Sequence, residues 1–94
     1  MEQISDKDYK LEILLELLKN NSHIRALAKD IETNHMTVLR KIKELSEENA
    51  IDYKQEGKNK TYFLKKTIEA RNYVMMAENY KLLQLLIKYP HLRL

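Results

Sequence analysis

The chain of 94 residues is long enough for one domain with a modest core, and without a single cysteine it holds no disulfide, thiolate metal site or cysteine nucleophile. A net charge of +3 and a pI of about 9.1 lean only mildly towards a polyanionic partner. No stretch is apolar enough for a membrane span, and no cationic-then-apolar leader opens the chain, so a cytoplasmic protein is expected.

One Gly and one Pro leave little punctuation, which favours helices with short connections. The first predicted helix covers residues 5–19. Ser5 is its expected N-cap, with Asp8 in an acidic first turn. Leu11, Leu14, Leu15 and Leu18 recur on one face, leaving Ile13 and Leu17 on another. Asn20-Asn21-Ser22 breaks the pattern. Ile24, Leu27, Ala28 and Ile31 then repeat the spacing and predict a short second helix. Glu32-Thr33 leads to a third, Asn34–Glu48, with Asn34 as N-cap and Val38, Ile42 and Leu45 on its inner face. Asn49 suits the left-handed conformation that ends helices. The period then drops to two: Ile51 and Tyr53, and later Tyr62 and Leu64, alternate with polar residues around Glu56-Gly57-Lys58-Asn59, predicting a β-hairpin. Residues 67–89 are helical again, and Pro90 stops them. Between Lys54 and Lys66 five lysines stand against one acid, Glu56, so the hairpin region is far more basic than the chain as a whole.

The stretch IRALAKDIETNHMTVLRKIKELSEENAI followed by DYKQEGKNKTYFL resembles the winged helix-turn-helix DNA-binding regulators of archaea and bacteria. The resemblance implies a mainly α fold with a small β-hairpin. A winged helix-turn-helix DNA-binding domain would cover residues 1–66, with Ile24–Ile31 supporting a recognition helix over Asn34–Glu48 and a wing over 51–64. A C-terminal helix within 67–94 would follow. Two positions depart from the family pattern. Glu32 and Thr33 stand where the tight turn often carries Gly and an apolar residue, and Asn49 stands where Gly often ends the recognition helix.

The residues carry the same reading by themselves. With Val38, Ile42 and Leu45 turned inward, the opposite face of the third helix bears Met36, Arg40, Lys43 and Glu47, with Thr37 at an edge. Such a helix fits the B-DNA major groove with its N-terminal residues at the base edges. Arg40 can fork onto guanine O6 and N7, Met36 can touch a thymine methyl, and Thr37 can bond a base or phosphate. Lys41 and Lys43 suit the backbone. Asn34 and His35 sit at the helix start, and Lys58, Asn59 and Lys60 at the hairpin tip reach for a phosphate or minor groove.

Enzyme chemistry finds little support. His23, His35 and His91 lack metal-ligand spacing, and one Gly excludes a Gly-rich phosphate loop, so neither cofactor nor metal is expected. On the last helix Tyr73, Met76, Tyr80, Leu83 and Ile87 follow the three-four spacing of a pairing seam, and Met75, Leu82, Leu86 and Tyr89 form a second stripe. Two stripes imply two partners: the domain itself and a second copy of the chain, with Ile13 and Leu17 contributing. The expected assembly is a homodimer on double-stranded DNA. Alternatively the Tyr and Met cluster lines an effector pocket, or the chain is a protein-interaction or tethering module. Similar archaeal winged helices are sometimes fused to a nucleotidyltransferase-like domain.

Overall fold

A computed structural model of the protein describes residues 7–92. The elements run α1 (Tyr9–Lys19), α2 (Ile24–Asp30), α3 (His35–Glu47), β1 (Ile51–Glu56), β2 (Asn59–Leu64) and α4 (Ile68–Lys88), closed by a single 3-10 turn at Pro90–Leu92. Each α-helix begins on a side chain that accepts from the first turn. Asp8, Asn34 and Thr67 do so with oxygen for α1, α3 and α4, and His23 does so with Nδ1 for α2. Ser5, the expected cap of the first helix, lies outside the described residues; Asp8 caps it instead.

Both departures from the family pattern fall on left-handed backbone. Glu32 has φ 59° and Asn49 φ 65°. Behind Glu32, the N–H of Thr33 reaches back to the carbonyl of Ala28 at 2.9 Å, and behind Asn49 that of Ala50 reaches Leu45 at 3.0 Å. These are the backbone closures that let one left-handed residue end a helix. Glu32 therefore does a glycine's work at the turn between α2 and α3, at a steric cost of about 1–2 kcal/mol.

The hairpin is tighter than the four-residue connection expected from sequence. Its register pairs Glu56 with Asn59, leaving Gly57 and Lys58 as a two-residue loop, with Gly57 at φ 64°. One feature left no trace in the alternation pattern: Ser22 adds a single bridge to β2. Its N–H donates to the Tyr62 carbonyl at 3.1 Å, and the Tyr62 N–H returns to the Ser22 carbonyl at 2.6 Å. The break after α1 thus becomes a third rung that pins the wing to the helical body.

The core draws on every principal element. Leu14, Leu27, Val38, Leu45 and Ile51 are buried at its centre, and Ala70 and Ala77 of α4 close it from outside. The inward face of α1 differs from the expected one. Leu11, Ile13, Leu14 and Leu17 are buried, Leu15 is half-buried and Leu18 lies 44% exposed. Because α1 packs between α3 and α4, its apolar arc is wider than one stripe, and Ile13 and Leu17 are core residues with nothing left to offer a second copy.

The expected pairing seam of α4 also divides. Tyr73 and Tyr80 are half-buried against the chain's own core, whereas Met76, Leu83 and Ile87 are exposed. Two small residues, Ala70 and Ala77, let α1 approach closely, and the two tyrosines pack beside them. Tyr80 donates to Glu12 Oε2 at 2.7 Å and receives the Asp8 N–H at 3.3 Å; burial and the Glu12 bond push its hydroxyl up to about 12.

Candidate nucleic-acid interface

The candidate interface lies where α3 and the wing face each other. Strand alternation sends Ile51, Tyr53 and Gln55 to the same side of the hairpin as Lys60, Tyr62 and Leu64. Ile51 and Tyr62 bury there, which turns this side towards α3 and leaves Tyr53 and Lys60 at its open edge. Lys60 Nζ lies 4.5 Å from the centroid of the Tyr53 ring, and the two tyrosine rings meet at 5.8 Å. The wing lysine is thus held by a cation–π contact rather than hanging freely in solvent.

Two clefts open on this side. The first, between α3 and the wing, is lined by Met36, Leu39, Arg40, Lys43, Ser46 and Tyr53 over a floor of Ile42 and Tyr62. The second joins the starts of α2 and α3 to the wing tip through His23, Arg25, His35, Lys58, Asn59 and Lys60. Neither has an Asp or Glu in its lining, in a chain with 14 of them.

Of the carboxylates at the end of α3, Glu44 and the cap residue Glu48 turn to the other side, while Glu47 stays exposed at the C-terminal end of the outer face. Glu44 and Glu48 both meet Lys10 of α1, at 3.6 and 3.0 Å, and Tyr73 of α4 donates its hydroxyl to Glu48 while receiving Lys10 Nζ at 3.1 Å. The Tyr73 and Lys10 hydrogen bonds hold the Glu48 carboxyl below its ordinary 4.5. Partial burial opposes the charge on Lys10, but its bonds to Tyr73 and Glu48 outweigh that and raise its pKa. A depressed carboxyl stabilises the fold above its unfolded pKa, and that contribution is lost as pH falls through the folded value. Glu48 is exposed, so the effect on stability is small. Tyr73→Phe should move the Glu48 titration upwards in a carboxyl-resolved NMR titration. An unchanged midpoint would mean that Lys10 alone sets it.

Most of the residues expected from sequence converge here: His35, Met36, Arg40, Lys43, Lys58, Asn59 and Lys60 line one cleft or the other. Three stand apart. Asn34 spends its side-chain oxygen on the Thr37 N–H at 2.9 Å, and Thr37 is half-buried behind it. Lys41 lies on the opposite flank, 3.6 Å from Glu44 and beside the start of α1. Sequence reasoning missed Leu39, Tyr53, Arg25 and His23. Leu39 was discoverable, since it lies beside Lys43 at the edge of the outer arc. Arg25 was not, because its place in the cleft depends on the wing folding back over the start of α2.

Three helices, a two-stranded wing and the order of the elements define the winged helix-turn-helix fold. No protein-family profile matches the sequence, and no curated protein matches it. Solved structures do. The adhesin competence repressor AdcR from Streptococcus pyogenes superposes with a TM-score of 0.75 at 17% identity, over 92% of this chain and 65% of that one. HlyU from Vibrio cholerae gives 0.64 at 20% identity, over 88% and 78%. A homodimeric winged helix-turn-helix DNA-binding domain from Mycobacterium bovis, described as a possible ArsR-family regulator, gives 0.62 at 15%, over 92% and 76%. At these identities the likeness establishes the fold. The chain spans just under two thirds of the repressor's length.

No helix among the described residues is long and apolar enough to cross a membrane.

Proposed function

We propose that the protein is a sequence-specific double-stranded DNA-binding transcriptional regulator, acting as a homodimer and without enzymatic activity. The observation that carries this is the segregation of charge around α3. Arg40 and Lys43 share a carboxylate-free groove with the wing, while Glu44 and Glu48 are neutralised by Lys10 on the far flank. A solvated surface helix would mix its signs along its length; on this outer face the first turns carry only cations and apolar side chains, and its one carboxylate, Glu47, stands at the C-terminal end. In this reading the first turns of α3 enter the major groove. Arg40 reads a guanine, Met36 and Leu39 lie against thymine methyls, and Lys43 holds a phosphate. Lys58 and Lys60 of the wing, with Arg25 at the start of α2, grip the flanking backbone. That a repressor and a homodimeric winged helix-turn-helix DNA-binding domain share the fold supports the same conclusion.

The second reading, a protein-interaction module, is favoured by the apolar half of the same groove, where Met36, Leu39 and Tyr53 are all exposed. Duplex binding at 50 mM salt separates the two. Arg40→Ala should cost about 1–3 kcal/mol on the preferred sequence and relax preference at a single base pair. Equal weakening on every duplex would show that Arg40 holds the DNA rather than reads it. A folded protein that binds no duplex at that salt would favour the interaction module.

A further inference from the structure

The outward face of α4 carries a pattern that the division of its stripes brings into view. Within α4, positions 68, 72, 75, 79, 82 and 86 alternate steps of four and three, the spacing of a coiled-coil seam. Ile68, Met75 and Leu82 occupy one set of core positions, and Asn72, Asn79 and Leu86 the other, with Tyr89 following as the cap residue. From Ile68 to Leu82 the seam lies roughly half a turn from Ala70 and Ala77 and so points away from the chain's own core, while Leu86 is half-buried near the terminal turn. Ile68 is 66% exposed and Leu82 52%, and both asparagines are exposed.

We propose that two copies pair through this seam as a parallel two-stranded coiled coil in which Asn72 and Asn79 each meet their own counterpart across the two-fold axis. The proposal rests on the homodimer reading above and adds which face pairs and in which direction. Direction follows from the amides. In a parallel pair equivalent core positions face each other, so each Asn finds a group that both donates and accepts. In an antiparallel pair the two sets face one another, and each Asn is buried against Ile, Met, Leu or Tyr with nothing to bond. Size agrees with a second copy. The exposed apolar side chains on this side, Ile68, Met75, Met76, Leu82, Leu83 and Tyr89, present roughly 600 Å² per chain, so pairing covers about 1,200 Å², where specific interfaces begin.

A chain without cysteine makes the test clean. Leu82→Cys should join to its own copy under mild oxidation, as should Met75→Cys one heptad earlier, because each faces itself only in a parallel pair. Lys81→Cys, on the opposite side of α4, should not crosslink. With Asn72→Leu and Asn79→Leu added, the Leu82→Cys yield should fall by about twofold or more as antiparallel pairing becomes allowed. An undiminished yield overturns the part given to the asparagines. If the unmodified protein sediments as a dimer while neither Leu82→Cys nor Met75→Cys crosslinks, the seam is wrong and the dimer stands. A monomer at concentrations on the order of tens of micromolar overturns seam and dimer together, and leaves DNA binding by a single head to be judged by the duplex measurement.

Discussion

Ile13→Ala should lower stability by about 2–5 kcal/mol, a fall in Tm of about 10 °C or more for a domain of this size, while Leu18→Ala changes it by no more than about 0.5 kcal/mol. Ile13 has no exposed surface at all and sits among Leu14, Leu17 and Leu27, so truncation removes several methyl groups and leaves a cavity. Leu18 is already 44% in water. A chain this short has about 5–10 kcal/mol in total, so the first variant loses a large share of its stability. Thermal denaturation followed by circular dichroism measures both. Equal losses would mean that α1 buries the single leucine stripe that its spacing suggests, and that the packing of α4 on α1 is misjudged.

That pair of residues also shows how far a sequence carries. Apart from the start of α1 and the length of the hairpin loop, the helix and strand boundaries were legible because caps and periods are local: Asn34, Asn49, Gly57 and Thr67 each act within a few residues of themselves. The inner face of α3 was legible because its three neighbours, α1, α2 and β1, all meet the one arc of Val38, Ile42 and Leu45. Helices α1 and α4 were harder, since each carries more than one apolar stripe, and a period says where apolar residues recur, not which stripe turns inward. On α4 the decisive residues were Ala70 and Ala77, whose small side chains carry almost no hydrophobic signal yet allow the closest approach. Helix geometry placed Arg40 and Lys43 on the outer face, and the structure has them in the cleft beside the wing; Lys41 stands on the other flank, where the start of α1 lies beside it, a neighbour that only tertiary structure supplies. Arg25 and His23 belong to the cleft only through tertiary structure.

The largest effect expected of the interface itself is that of salt. Each head offers Arg25, Arg40, Lys43, Lys58 and Lys60 on the cleft side. If a dimer neutralises roughly 6–10 phosphates with them, affinity for duplex should fall about 10³–10⁵-fold between 50 and 200 mM salt, as bound counterions are no longer gained by release. Double replacement of Lys58 and Lys60 by Ala should weaken all sequences alike and flatten the logarithmic slope by about two units per head. Lys41→Ala serves as the contrast, because its ammonium faces Glu44 on the far flank and should leave the slope unchanged. Fluorescence anisotropy across a salt series measures all three proteins. A slope that responds to Lys41 but not to Lys58 and Lys60 would put the DNA on the wrong flank of α3.

The contact between the first helix and the last has a consequence for how the protein is made. Helix α1 leaves the ribosome before α4, yet among the described residues one side of its apolar arc packs against Ala70, Tyr73, Ala77 and Tyr80, more than fifty residues later. At about 5–20 residues per second, the nascent chain spends several seconds with that side bare. Local pieces such as the hairpin can form meanwhile, but closing the long loop between α1 and α4 must wait for the final element. A truncated product that stops after β2 would hold a wing and a recognition helix on a body with an open apolar flank. Translation errors in this region would therefore yield sticky fragments rather than weak binders, and the cell's holding chaperones would meet this protein chiefly through the exposed side of its first helix.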